Sequence, residues 1–397
     1  MGNNARPLPL EGIRVIEIAN AWAGPVATRL MADMGAEVIK VENPSRPDFS
    51  RGWPPFAEEE RGVNQSGYFA IYNRGKKGCT LDLKNLEDVG TLKRLVKISD
   101  ILIENNAPGV MDRLGLGYSE LSSIKPDLIM ISLSGFGATG PDSVALAFGP
   151  ILEPYTGISS FFGYPGDPPV TCGMAVSDHV AAAKGTLVAL IALHNRNKTG
   201  EGQHIDISEV ETMLACMPEA IMEFTMNKME PVPKGNRDEV MSPHGVYRCR
   251  GEDNWIAIAI DSDAAWQKFC HAIDKPALAR DERFNDGYRR WKNQDELDSI
   301  ISEWASEQDA IETMHRLQKA DIIASAVYCG EELYNDPQLR ERGFFAEINH
   351  PITGKRELPG MFVKLSKTPG ALRAPDPLLG EHNDWLLNEL LGPVDSK

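Results

Sequence analysis

Short apolar runs alternate with amphipathic stretches through the first half of the chain. Gly12–Ile18 reads as a strand and Ala19–Gly24 as a loop. Pro25–Met34 follows as a helix, with proline in its first turn and Gly35 just past its end, the expected punctuation of a helix. Ala36–Glu42 is a second strand, so the unit is βαβ, with parallel pairing and a right-handed crossover. The pattern continues with a helix over Leu86–Ile98, a strand over Asp100–Glu104, short helices over Gly109–Leu114 and Ser119–Ile124, and a strand over Asp127–Leu133. A glycine-rich loop, Ser134–Pro141, closes the run. This is the signature of a doubly wound, Rossmann-like α/β domain. No GxGxxG follows the first strand, so a dinucleotide cofactor is not expected.

Asp178–Arg196 is the most hydrophobic helix, apolar nearly all round and therefore expected to be buried. It ends in the turn Lys198–Gly202. His204–Ser208 alternates like a short strand, and Glu209–Met226 reads as one helix. Residues 230–242 are polar, with proline and glycine, and read as a linker. The texture then changes. Gly245–Cys249 and Trp255–Ile260 form a hairpin-like pair, followed by helices at Ala264–Ala272, Asp295–Trp304 and Gln308–Ala320. The expected organisation is a large α/β domain over 1–226, a smaller α+β domain over 227–330, and a segment over 331–397 that returns to the large domain and ends in a helix at His382–Leu391.

Composition narrows the function. The 397 residues carry a net charge of −16, with 42% apolar and 25% charged residues. These are globular values, and the acidic balance argues against a nucleic-acid partner. The run Leu187–Leu193 has about half the length of a membrane span. Met1–Arg6 has no apolar leader core, and Arg6 stands where lipidation of Gly2 would want Ser or Thr. No membrane association is expected. Cys79, Cys172, Cys216, Cys249, Cys270 and Cys329 form no CxxC pair, and no HExxH occurs. No metal is expected, and a reducing cytoplasm is the expected compartment.

Spacing alone nominates few chemical groups. Asp178, at the start of a helix, reads as a cap or first-turn residue or as an ionised carboxylate available for attack. His179 reads as a surface residue or a base. The 134–141 loop is a turn or a cradle of amides for phosphate. Arg74, Lys76 and Lys77 in Asn73–Gly78 form a solvated basic loop or a phosphate site.

Gly12–Glu17 with Ala23-Gly24-Pro25, Gly35–Glu42, Asn73–Lys76, Leu81–Lys84, Asp100–Asn105, Asp112–Gly115, Ser134–Gly137 and Gly140-Pro141 follow one another in order. The block from Asp178 through Arg196 to Asp206 completes the set, which covers essentially the whole chain. Together these resemble the family III CoA-transferases. The resemblance implies that Asp178 is the nucleophile. It would attack an acyl-CoA thioester to give a mixed anhydride and then an aspartyl-CoA thioester, from which a carboxylic acid acceptor takes CoA. Coenzyme A is then substrate, and no permanently bound cofactor is implied. The resemblance places Ala21, Trp22 and Ala23 along the pantetheine, Leu81 at the adenine side, and Asn105 and Arg113 along the nucleotide. Asn43 and the neighbourhood of Leu146 replace two cations of the formyl-CoA transferases, leaving Arg46, Arg51, Arg74 or Lys77 to meet the phosphates. Gly235–Gly245 takes the place of a shielding glycine run.

Two rivals share the resemblance. The α-methylacyl-CoA racemases need a second base, and Phe148 occupies its position. A non-catalytic subunit of a hetero-oligomeric transferase is the other. An acceptor pocket would draw on Trp22, Phe148, Tyr155 and the 235–245 loop and suit a moderately bulky acid, unless these aromatics are ordinary core. The family further implies a ring-like protomer and an interlocked homodimer.

Overall fold

The computed structural model describes residues 8–230 and 232–393. Met1–Arg6, on which the leader and lipidation expectations rest, lies outside the described residues. The chain separates into two compact units. One comprises Met1–Ser159, Thr171–Met229 and Arg340–Lys397, the other Ser160–Val170 and Glu230–Leu339.

In the larger unit the elements run β1 (Arg14–Ile18), α1 (Ala23–Asp33), β2 (Glu37–Glu42), α2 (Gly67–Asn73), β3 (Lys77–Thr80), α3 (Leu86–Lys97), β4 (Ile101–Glu104), α4 (Val110–Arg113), α5 (Tyr118–Ile124), β5 (Ile129–Ser134), α6 (Gly149–Thr156), α7 (Val176–Thr199), β6 (Gln203–Ser208), α8 (Glu209–Leu214) and α9 (Pro218–Asn227). The six strands form one parallel sheet in the order β3-β2-β1-β4-β5-β6. Strand residues alternate between two covered faces. Val15, Val38, Ile101, Ile103 and Ile131 pack with Ala27 and Met31 of α1 and Ala181 and Ala189 of α7. Ile16, Ile39, Leu102 and Met130 pack with Leu92 and Leu95 of α3 and Leu121 of α5. Burial on both faces is why these strands read as continuous apolar runs.

In the smaller unit, β7 (His244–Arg248), β8 (Trp255–Ala259) and β9 (Ile323–Ala326) form an antiparallel sheet, with β8 paired to both of the others. Helices α10 (Asp263–Ala272), α11 (Gly287–Lys292), α12 (Gln294–Ala305) and α13 (Ala310–Lys319) accompany it, and Ile256, Ile258, Trp266, Phe269, Ile301 and Leu317 make its core. The larger unit resumes with the hairpin β10 (Phe345–His350) and β11 (Gly354–Pro359).

Several elements differ from the sequence expectation. The single helix read over Glu209–Met226 is broken into α8 and α9, because Pro218 has no amide N–H to continue α8 and instead sits in the first turn of α9. Helix α7 is not buried all round. Ala181, Ala182, Ala189 and Ala192 pack in the core with the sheet, while Leu187, Leu190 and Ile191 are exposed on this chain. By length and composition α7 could cross a membrane, yet its alanine face belongs to the core of the larger unit. The expected terminal helix is a π-helix over Trp385–Leu390, with Leu386 buried. Helices α2 and α6 and strands β3, β9, β10 and β11 were absent from the sequence pattern.

Candidate active site

The strand order reverses direction at β1 and β4, which opens a crevice at their carboxyl ends. Asn20 and Asn105 clip the two strand ends together. The Asn105 side chain accepts from the Asn20 N–H at 2.9 Å and donates to the Asn20 carbonyl at 2.8 Å. Ala21 follows with φ of 61°, a left-handed conformation that is costly for a residue with a Cβ. A buried carboxylate holds it there, since the Ala21 N–H donates to Asp48 at 3.1 Å. Asp48 is in turn held by Lys40 at 2.9 Å, and Lys40 reaches Glu17 at 2.7 Å. Burial alone would weaken the Lys40 ammonium, but Asp48, Glu17 and Glu42 outweigh it and hold the group charged. The loop is therefore fixed from beneath by a fully paired ionic network.

Asp178 lies in the first turn of α7, whose N-cap is Ala175, so it is not the cap itself. It is 8% exposed, and its Oδ2 has no hydrogen-bond partner among the described residues. Gly149 packs so closely that an added Cβ would fall 2.1 Å from that oxygen. A cavity of about 210 Å³ opens in front, lined by Asn20, Ala21, Asn105, Ser134, Phe148 and Asp178, with Glu209 on the same wall. Burial pushes the Asp178 carboxyl up to about 7, while the Asp178 and Ala23 amides draw it back and Glu153 adds repulsion. Glu209, at the start of α8, is pushed up to about 8 by burial and by Asp178. Sequence reading missed Glu209, because a glutamate after Ser208 looks like an ordinary first-turn acid.

An aromatic wall stands beside Asp178. Trp22 lies 5.7 Å from Trp53, 5.6 Å from Tyr68 and 6.1 Å from His179, measured between ring centroids. The Trp22 Nε1 and Tyr68 hydroxyl are buried without a hydrogen-bond partner among the described residues. His179 is occupied, with Nδ1 at 2.8 Å from the Ala175 carbonyl and Nε2 at 3.3 Å from the Tyr72 hydroxyl.

The structure thus gathers Ala21, Asn105 and Asp178 at one cavity, with Trp22 and Ala23 adjoining. The basic loop is a correction. Arg74 is fully buried, its guanidinium bonded to Asp33 at 2.9 Å and to the Pro359 carbonyl, so no face is left for a phosphate. Lys76 is buried against Glu17 at 2.7 Å. Arg51 is likewise spent on Glu42 at 2.7 Å and stacks on Phe69. Lys77 is partly exposed, pairs with Glu37 at 3.2 Å, sits over the Trp385 ring and lines a separate cavity. Leu81 is buried on the second face of the sheet, its N–H donating to the Glu42 carbonyl. Arg113 and Arg46 are exposed, without an ion pair among the described residues. In the 134–141 loop the Ala138 amide is taken by Asp206 at 3.0 Å, which removes it from any phosphate cradle. Phe148 lines the cavity; Tyr155 instead donates to Asp142 at 3.1 Å and is not part of the lining. Among the described residues no cluster of His, Cys, Asp and Glu is arranged to hold a metal.

A family model described as CoA-transferase family III matches residues 10–383. The chain belongs to that family. This CoA-transferase is 34% identical over 392 residues to a succinyl-CoA–D-citramalate CoA-transferase of Chloroflexus aurantiacus, covering 99% of this chain and 96% of the relative. It is 32% identical over 391 residues to the alpha subunit of a succinyl-CoA–L-malate CoA-transferase of Chloroflexus aurantiacus, covering 98% and 90% of the two chains. Among solved structures, a CaiB/BaiF family protein from Brucella suis is similar with a TM-score of 0.88 at 29% identity, covering 96% of this chain and 99% of that one.

Proposed function

We propose that this CoA-transferase passes coenzyme A from an acyl-CoA thioester to a carboxylic acid through covalent intermediates on Asp178. The observation that carries the reading is a buried carboxylate in the first turn of a long helix, on a residue that lines a cavity at the strand crevice, with one oxygen that has no hydrogen-bond partner among the described residues. An Asp178 oxygen attacks the donor carbonyl, the C–S bond breaks, and CoA thiolate leaves a mixed anhydride. The thiolate attacks the aspartyl carbonyl, which frees the donor acid as a carboxylate and leaves an aspartyl-CoA thioester. The acceptor carboxylate attacks that thioester, thiolate departs again, and its attack on the acceptor carbonyl restores Asp178. Each exchange conserves the energy of the thioester, so no nucleotide is consumed.

A buried carboxylate of raised basicity is a better nucleophile than a solvated one, and the helix N-terminus keeps a useful fraction ionised. Ala21, Trp22, Ala23 and Asn105 would border the pantetheine, with Leu81 at the adenine side. Arg46, Arg113 and Lys77 are the cations still able to meet phosphate, and Arg74 keeps a structural role. Succinyl-CoA, named for both relatives, is the first donor to assay. We also propose a homodimer, interlocked as the family resemblance implies. Exposed Leu187 and Ile191 on α7 and Ile221, Met222 and Met226 on α9 form the apolar surface it would cover.

Incubation with an acyl-CoA followed by hydroxylamine should tag Asp178 as a hydroxamate. Asp178→Ala should lose transfer while keeping CoA affinity within about tenfold. Transfer persisting in that variant would refute the covalent route.

A further inference from the structure

The transfer chemistry gives Glu209 no task, yet Glu209 shares the wall of the catalytic cavity. Asp178 and Glu209 are the two titratable side chains that line this cavity, and no lysine, arginine or histidine lines it. Glu209 is 7% exposed, and its carboxyl makes no hydrogen bond among the described residues. A capping role does not account for it: Ser208 caps α8 by accepting from the Glu211 N–H at 3.2 Å. Two carboxylates that line one cavity with no cation beside them repel, which strengthens the hold of the pair on a proton. Asp178 must be the ionised member to attack a thioester, and the proton then rests on Glu209.

The leaving group supplies the other half of the argument. A thiol ionises at about 8.5 in water, and a thiolate released into a cavity without a cation is poorly stabilised. We infer that Glu209 is the proton reservoir of the transfer, a role that rests on Asp178 being the nucleophile. As the donor C–S bond breaks, the Glu209 proton passes to the CoA sulfur. As CoA re-attacks, the thiol proton returns to Glu209. Acylation of Asp178 removes the negative charge that opposed ionisation of Glu209, so the proton is loosened at the step that needs it. The balance closes: thioester, Asp178 carboxylate and Glu209 acid become anhydride, CoA thiol and Glu209 carboxylate.

Other charged groups on the elements packed against α8 are engaged elsewhere. On α7, Lys184 donates to the Thr212 carbonyl at 2.6 Å. On α6, Glu153 accepts from the Cys172 amide and thiol at 3.2 and 3.0 Å. On β6, Asp206 accepts from the Ala138 amide. Glu211 on α8 itself is exposed.

The test is Glu209→Gln, which keeps shape and removes the proton. Single-turnover release of CoA thiol from an acyl-CoA, without acceptor, is followed from about pH 5.5 to 9.5, with hydroxylamine trapping of Asp178. Wild type should show a bell. The variant should be slower by about 100-fold at the optimum and lose the high-pH limb. An indicator dye should read about one proton taken from buffer per CoA in the variant near pH 7 and none in wild type. CoA binding by the variant reports that it is folded. Equal rates and profiles would overturn the inference while the Asp178 tag upholds the nucleophile. A slower variant with an unchanged profile would also overturn it, as a packing effect. A wild-type profile without a high-pH limb would overturn it without recourse to any variant. If wild type acquires no tag on Asp178, both readings fall together.

Discussion

Gly149→Ala sets two physical effects against each other. Gly149 opens α6 and its φ is not left-handed, so alanine fits the backbone, and helix propensity favours alanine by up to about 1 kcal/mol. The added Cβ, however, would lie 2.1 Å from Asp178 Oδ2, 2.6 Å from the Ala175 Cβ and 3.2 Å from the Ala175 Cα. Non-bonded carbons prefer about 3.5–4.0 Å, so the contacts with Asp178 Oδ2 and the Ala175 Cβ each overlap by about 1 Å or more. Ala175 is mounted rigidly before α7, whereas the Asp178 carboxyl can turn, so the side chain yields first. Overpacking of this size costs about 1–3 kcal/mol, which exceeds the gain in propensity. A nucleophile displaced by about 1 Å loses about 100-fold in turnover. Steady-state transfer, hydroxylamine trapping and thermal melting are the assays. We expect turnover down by about 100-fold, a slightly lower melting temperature and CoA affinity retained. Wild-type turnover in this variant would refute the placement of the Asp178 carboxyl against Gly149.

Further expectations use other parts of the structure. Arg74→Met leaves Asp33 charged and unpaired in the core and should destabilise by about 3–5 kcal/mol in chemical denaturation, with CoA affinity in the folded fraction unchanged. A selective loss of CoA affinity at full stability would instead make Arg74 a phosphate ligand. Glu209 binds its proton more tightly folded than unfolded, so its stabilisation is complete below the unfolded value near 4.5 and fades as pH rises through about 8. Glu209→Gln should therefore raise the melting temperature at pH 9 and leave it nearly unchanged at pH 4, and the opposite trend would count against a buried protonated acid. Phe148 cannot carry a proton, so a 2-methylacyl-CoA in D₂O should show no wash-in at the α-carbon; wash-in blocked by Asp178→Ala would indicate a racemase. The proposed interlocked dimer, mixed in two differently tagged forms, should exchange subunits only as fast as it unfolds; a stable monomer, or mixed dimers within minutes, would exclude it.

How far the sequence reaches depends on how far each interaction runs along the chain. Strands β1, β2, β4 and β5 were legible because both their faces are buried, which writes an apolar run between helix punctuation. Strand β3 was not. It is a four-residue edge strand, Lys-Gly-Cys-Thr, and its place comes from pairing with β2. Strand β9, Ile-Ala-Ser-Ala, is defined in the same way by β8. Local signals of punctuation and periodicity cannot report such distant partners.

The candidate site divides along the same line. Asp178 was visible because its position at a helix start, within a block resembling a known family, is local. By itself the chain also determined the α/β alternation that puts loops at the carboxyl ends of parallel strands. Tertiary structure alone decided the charge states and their uses. Arg74 and Lys76 look like a solvated basic loop until Asp33 and Glu17, from earlier elements, close over them as buried partners. Glu209 looks like a helix-start acid until α8 packs beside α7 and brings it to the cavity that Asp178 lines. Burial and the approach of a second charge shift a proton, and both are properties of the folded neighbourhood rather than of any stretch of sequence.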